Sequence, residues 1–103
     1  MKVIWSANAR KQLNDIAYYI QEEFSRTKKL KFLREVKDNE KLIRTHPFIG
    51  KIEPLLIDRS ISYRSFVINN LNKIVYYVEE QRIVIVAFWD ARQEPQRLVN
   101  QIN

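Results

Sequence analysis

The spacing of apolar residues changes once along this chain, at its sole glycine, Gly50. Before Gly50, apolar side chains recur every three or four residues, which predicts helices; after it they alternate with polar ones, which predicts strands. Ser6 is a suitable N-cap for a helix over about residues 7–23. A second helix should begin near Ser25 and must end before Pro47, because proline cannot continue a helix. The two helices are expected to form a hairpin with almost no loop.

The half of the chain after Gly50 predicts a small sheet. Its apolar pattern indicates a minor strand at 55–57 and longer strands at 61–68, 73–79 and 83–89, in addition to a short strand at 2–5. The run 83–89 is apolar on both faces, which marks a central strand. Pro95 is placed to begin a terminal helix. We therefore expect one α+β domain over residues 1–103, in which an N-terminal strand and helical hairpin pack on an antiparallel β-sheet with a short C-terminal helix.

Composition limits the class of protein. The chain has 103 residues, of which 46% are hydrophobic, and no cysteine, which excludes disulfides and cysteine-ligated zinc and fits a reducing compartment. Its longest apolar run, 83–89, is too short to span a bilayer, and its first residues lack the apolar core of a signal peptide. We expect a cytoplasmic protein with no metal, no cofactor and no membrane partner.

Positive charge is concentrated in one block. Residues 26–51 hold nine Lys or Arg against three Asp or Glu, which accounts for the whole net charge of +6. Such a block suits phosphate groups, an acidic protein partner or an anionic membrane surface, and it equally suits a solvated helix face.

Several segments, in order and at the right spacing, carry a family resemblance. They are "VIWSANARKQLNDIAYYI" at the start, "HPFIG" after the second helix, and "YRSFVINNLNKIVYYVEEQRIVIVAFWDARQEP" over the strands. With them the chain resembles the RelE/ParE superfamily, the toxins of bacterial type II toxin–antitoxin (plasmid stabilisation) modules. The "HPFIG" turn is most typical of the ParE branch. The resemblance implies a growth inhibitor that acts on DNA gyrase or on ribosome-bound mRNA and is neutralised by a cognate antitoxin.

Within that resemblance, Arg64 and Arg92 match arginines that would reach one solvent-open patch from neighbouring strands. If the chain is a ribosome-dependent endoribonuclease, these two guanidinium groups would stabilise the charged phosphorane, because they present paired donors to phosphate oxygens. Asp90, or else Glu94, is the candidate general base, although an ordinary carboxylate is a weak base at neutral pH. A ParE-like gyrase inhibitor would not be an enzyme.

Trp89 stands where several RelE-type RNases carry a histidine. It could stack on a base or belong to the core. The only histidine, His46, matches the ParE-type turn and no catalytic position. Contacts with RNA or another target are expected from Lys51, Arg59, Tyr77, Trp89 and Arg97, and the segment from Arg92 to Arg97 is a candidate for gyrase. Contacts with an acidic antitoxin arm are expected from Lys28, Lys31, Arg34 and Lys41.

Two alternatives stay open at this level. The chain could be a non-toxic or decayed member of the fold that pairs only with its antitoxin. It could also be a small basic nucleic-acid-binding module, in which case binding should weaken steeply with salt. The basic residues named above would then be ordinary surface charges or phosphate contacts.

Overall fold

The structure is a computed structural model, and it describes residues 1–102. Its elements, in chain order, are β1 (Lys2–Trp5), α1 (Ala7–Glu23), α2 (Arg26–Thr45), β2 (Lys51–Ile52), a 3-10 helix (Pro54–Leu56), β3 (Arg64–Val67), β4 (Asn72–Glu79), β5 (Arg82–Asp90) and α3 (Pro95–Gln101). No helix in this part of the chain is long and apolar enough to cross a membrane.

The helix boundaries follow from local chemistry. Ser6 accepts a hydrogen bond from the Ala9 amide and so caps α1, whose bounds are those predicted. Ser25 caps α2 in the same way. Helix α2 stops two residues before Pro47, and His46 has already left the helical conformation, as a residue before proline should. Helix α3 begins at Pro95, also as predicted.

The strands form one five-stranded sheet in the order β1-β5-β4-β3-β2. All neighbours from β5 to β2 are antiparallel, which confirms the antiparallel pairing predicted for the longer strands. Strand β1 differs, since it joins the edge parallel to β5, with Val3 opposite Ile83. The sheet is therefore mixed, and β5 is an interior strand as its sequence predicted.

Two strand predictions differ from the structure. The segment 55–57 is not a strand; the 3-10 helix begins at Pro54, and the carboxylate of Glu53 accepts the Leu55 amide at 3.1 Å. Proline has no amide hydrogen to donate to a neighbouring strand, and the next amide is already bonded to a side chain. This segment therefore favours a turn over a strand. The short edge strand β2 precedes it. The predicted strand 61–68 is also shorter and begins at Arg64.

Both faces of the sheet are buried, one under each set of helices. The helix-side cluster combines α1 and α2 with one face of the sheet: Ala9, Leu13, Ala17, Phe32, Val36, Ile43, Ile74, Tyr76, Ile83, Ile85 and Phe88. The opposite cluster lies under α3 and the 3-10 helix: Leu56, Tyr63, Val75, Ala87, Trp89, Leu98 and Ile102. This two-sided burial explains why β5 is apolar on both faces.

A bulge in β5 decides which side chain enters which cluster. Val75 pairs with Ala87 while the next residue, Tyr76, pairs with Ile85, so the register passes over Val86. Strict alternation would put Ile85 and Trp89 on the same face. The extra residue moves Trp89 to the opposite cluster, where it is 3% exposed.

Candidate functional site

Arg64 lies on the helix side of the sheet and is half-buried. It stands opposite Tyr76 across the β3–β4 ladder, and directly paired side chains share a face. Its Nη1 donates a hydrogen bond of 2.7 Å to the carbonyl oxygen of Gly50, and its Cζ lies 5.0 Å from the centroid of the Phe48 ring. The guanidinium is therefore engaged by a backbone carbonyl and an aromatic face.

Tyr76 fastens the same segment, residues 46–50, which we call the α2–β2 turn. Its buried hydroxyl donates to the Pro47 carbonyl at 2.8 Å and accepts from the Gly50 amide at 2.9 Å. Burial raises the pKa of Tyr76, against the smaller lowering effects of the Gly50 amide and Arg64. A Cβ on Gly50 would lie 2.7 Å from that hydroxyl and 2.9 Å from the Ser65 carbonyl oxygen. Only glycine allows this close approach.

Arg92 is exposed just beyond β5, and its partner is local. Its Nη2 and Nε lie 2.7 Å and 3.0 Å from the two carboxylate oxygens of Asp90. The Arg92 amide also donates to Asp90, at 2.9 Å. This side-chain hydrogen bonding lowers the pKa of Asp90, against an opposing effect of burial. A carboxylate with a lowered pKa is a poorer base than an ordinary one.

The structure does not bring the two predicted catalytic arginines together. Arg64 is level with Tyr76 on β4, and Asp90 is level with Asn72. Four residues along a strand span about 13 Å, and two strand spacings add about 10 Å in the perpendicular direction. The Arg64 side chain also reaches toward Gly50, next to the far edge strand. Arg64 and Arg92 therefore lie on different strands and at different levels of the sheet, and no contact of either residue supports the shared patch, which stays a prediction.

Arg92 belongs instead to a small hollow beside α1. Asp15, Ile16 and Tyr19 line this hollow of about 220 Å³ together with Asp90 and Arg92. Neither Arg64 nor any residue of the α2–β2 turn lines it. The two arginines thus occupy different corners of the helix side.

Of the five other predicted target-binding residues, three are buried or half-buried and two are exposed. Trp89 is core, and Tyr77 is half-buried with its ring edge-on to Tyr63, at 5.7 Å between centroids. Arg59 is half-buried, and its Nη2 donates to the Val99 carbonyl at 3.0 Å, which ties α3 to the segment before β3. Lys51 and Arg97 are exposed. Burial, followed by the neighbouring Tyr77, raises the pKa of Tyr63 against the lowering effect of Arg59.

The four cations predicted to bind an antitoxin are all exposed along α2: Lys28, Lys31, Arg34 and Lys41. Lys28 also lies over the ring of Phe24, at 5.2 Å from its centroid. None of the four is in an ion pair among residues 1–102. They are therefore available to an acidic partner, and their contact with an antitoxin stays a prediction.

Sequence reasoning missed two features. One is the exposed Phe48 beside Arg64. The "HPFIG" motif predicted a turn at this residue and nothing more. The other is the ion pair between Lys73 and Glu53, whose carboxylate is 1% exposed. Glu53 is distant from Lys73 in sequence, and no periodic pattern joins them. Only the position of Glu53, a lone acid before a proline, could have suggested a capping role.

The fold is shared with solved toxin structures. The chain matches a structure described as the chromosomal ParDE TA system from P. aeruginosa, with a TM-score of 0.73 and 16% identity over 89% of this chain and 97% of that one. It matches a YoeB/ParE toxin from Agrobacterium tumefaciens with a TM-score of 0.58 and 21% identity, over 87% and 98% of the two chains. For the YoeB dimer from Staphylococcus aureus the values are 0.56, 22%, 86% and 94%. These likenesses show a class of fold, the RelE/ParE-like α+β fold.

The sequence then gives the family. Residues 3–95 match the family described as ParE toxin of type II toxin-antitoxin system, parDE. The chain therefore belongs to the ParE toxin family, which confirms the resemblance to the RelE/ParE superfamily. Membership implies a cognate antitoxin as partner. No curated protein sequence matched the chain.

Proposed function

We propose that this ParE-family toxin stops growth by binding DNA gyrase, without cutting RNA. The proposal is supported chiefly by the contacts of Arg64 and Arg92, which engage different partners in the folded chain. Stabilising a phosphorane needs cations converging on one phosphate. Arg64 is engaged by the Gly50 carbonyl and Phe48, and Arg92 by Asp90.

The candidate base and the candidate stacking residue also argue against RNA cleavage. Asp90 has a lowered pKa, so it holds a proton less readily than an ordinary carboxylate. Trp89 is enclosed under α3 and cannot stack on a base without displacing that helix. A protein that acts by binding needs neither group.

We further propose that the cognate antitoxin carries an acidic arm that lies along α2. The exposed Lys28, Lys31, Arg34 and Lys41 support this assignment. Charge of this kind raises the association rate more than the final affinity. We also propose that the toxin acts in the cytoplasm.

Two measurements test the function. Induction of the gene alone should arrest growth, and coexpression of the antitoxin should restore it; absence of arrest in a permissive host would favour the non-toxic alternative. Purified toxin should block supercoiling of relaxed plasmid by gyrase while mRNA in a translating extract stays intact. Codon-phased mRNA cuts with normal supercoiling would contradict the gyrase proposal, and salt-sensitive binding to bare duplex DNA would favour a nucleic-acid-binding module.

A further inference from the structure

The α2–β2 turn presents apolar side chains to water. Phe48 is 63% exposed and Ile49 is 42% exposed. Residues 45–49 border a hollow of about 470 Å³ on this surface. A contiguous apolar surface on a folded chain often marks an interaction site, whereas a single exposed apolar residue does not.

Hydrogen bonds from side chains of β3 and β4 fix the conformation of the turn. The buried hydroxyl of Tyr76 bonds to both Pro47 and Gly50, and Arg64 bonds to the Gly50 carbonyl. Within the turn, the Ile49 amide donates to the His46 carbonyl at 3.0 Å. A binding element that is already ordered loses little conformational entropy when it engages a partner.

The charge around the turn has one sign. Residues 41–52 contain Lys41, Arg44 and Lys51 but no Asp or Glu. The nearest carboxylates in sequence are engaged elsewhere: Glu40 accepts from the Trp5 indole at 3.0 Å, and Glu53 is buried against Lys73. The cations on either side of the tip in sequence, Arg44 and Lys51, are exposed and form no ion pair among residues 1–102.

We infer that the α2–β2 turn is the surface through which this toxin contacts its target, an inference that rests on the proposed function. Phe48 enters an apolar pocket on the folded target protein, and carboxylates at the rim of that pocket meet Arg44 and Lys51. A disordered antitoxin arm wraps a long surface as it folds. A short, rigid tip with one aromatic anchor instead suits a pocket that a folded partner already presents.

The chain supplies a matched control for Phe48. Phe24, between α1 and α2, is 61% exposed and also lies under a cation, Lys28, at 5.2 Å. In a supercoiling assay with purified gyrase, Phe48→Ala should raise the toxin concentration for half-inhibition by at least about tenfold, as loss of an aromatic anchor does at other interfaces. Phe24→Ala should leave it unchanged. Circular dichroism and urea unfolding, both unchanged in both variants, show that each variant is folded.

The possible outcomes distinguish failure of this inference from failure of the proposed function on which it rests. Failure of the unmodified toxin to inhibit gyrase overturns the proposed function and the inference with it. Inhibition by the unmodified toxin together with full activity of Phe48→Ala, or an equal loss in both variants, overturns the inference alone. A parallel loss of antitoxin binding in Phe48→Ala assigns the turn to the antitoxin and also overturns it.

A charge-reversal variant tests the rim independently. The pair Arg44→Glu and Lys51→Glu should weaken gyrase inhibition, and the loss should diminish as salt screens the charges. Reversal of Lys2 and Arg26, exposed cations elsewhere on the chain that form no ion pair among residues 1–102, serves as the matched control. Equal effects of the two reversals would show that only the net charge matters and would overturn the proposed rim.

Discussion

Arg64 and Arg92 invite comparison because the same sequence argument selected both. Arg64 contacts a carbonyl 14 positions away in sequence and an aromatic ring of the α2–β2 turn. Arg92 contacts a carboxylate only two positions away, at an exposed strand end. One arginine joins two distant segments, and the other closes a local pair on the surface.

The difference shows that a matched residue type does not fix a role. A hydrogen bond from a charged, half-buried donor to a backbone carbonyl holds a turn in place, and its loss leaves the carbonyl unpartnered. An exposed ion pair gains little over hydration, since water screens both charges. Arg64 should therefore matter for folding of the turn, and Arg92 should not.

Replacement of Gly50, whose carbonyl Arg64 binds, should have the largest effect, because this position has no room for a side chain. In Gly50→Ala the new Cβ would meet the Tyr76 hydroxyl at 2.7 Å and the Ser65 carbonyl oxygen at 2.9 Å. We expect a loss of about 2–3 kcal/mol in the free energy of unfolding, measured in urea, from overpacking and strained hydrogen bonds.

Tyr76→Phe in the same background provides the control for Gly50→Ala. It removes the hydroxyl that the Cβ would strike, so the double variant should be more stable than the sum of the two single effects predicts. Strict additivity would show that the hydroxyl is not the source of the clash.

Arg64→Ala should come next, with a loss of about 1–2 kcal/mol from the hydrogen bond to Gly50 and the contact with Phe48. Arg64→Lys should recover only part of this, because an ammonium lacks the planar face that stacks on the ring. Urea unfolding of the unmodified protein, Arg64→Ala and Arg64→Lys measures the loss in stability and its partial recovery. Full stability of Arg64→Ala would contradict the comparison between the arginines.

Much of the fold could be predicted because its signals are local. Ser6, Ser25, Pro47 and Pro95 act within one helical turn of their own positions, so the helix ends were accessible from sequence. The interior position of β5 followed from its continuous apolar run. The parallel pairing of β1 was not predicted, since it joins opposite ends of the chain.

The site was less accessible because it depends on register. Strand pairing puts Arg64 level with Tyr76 and Asp90 level with Asn72, and no local pattern reports that offset. The bulge at Val86 changes the face of Trp89, which left its assignment open between core and RNA contact. Single-residue shifts of this kind reverse side-chain faces without changing the sequence pattern.

Arg92→Ala should have a much smaller effect on stability than Arg64→Ala. Its guanidinium is exposed, and its carboxylate partner is only two positions away in sequence. We expect the urea midpoint to stay within error of that of the unmodified protein. A shift comparable with that of Arg64→Ala would mean that Arg92 supports the fold through contacts beyond Asp90.

The smallest expected effect is the pH dependence that Arg92 confers through Asp90. The pKa of Asp90 is lowered in the folded chain, chiefly by its hydrogen bonds to Arg92, from an ordinary value of 3.8. The folded state therefore binds the proton less readily than the unfolded state, so the stabilisation is present above the ordinary pKa and is lost as pH falls through the lowered one. An NMR titration of the Asp90 carboxyl should show its midpoint rising in Arg92→Ala. The acid-induced loss of stability should be slightly shallower in that variant, because the lowered pKa is its source. An unchanged midpoint would assign the low pKa of Asp90 to its surroundings and would leave Arg92 with no electrostatic role in the folded chain.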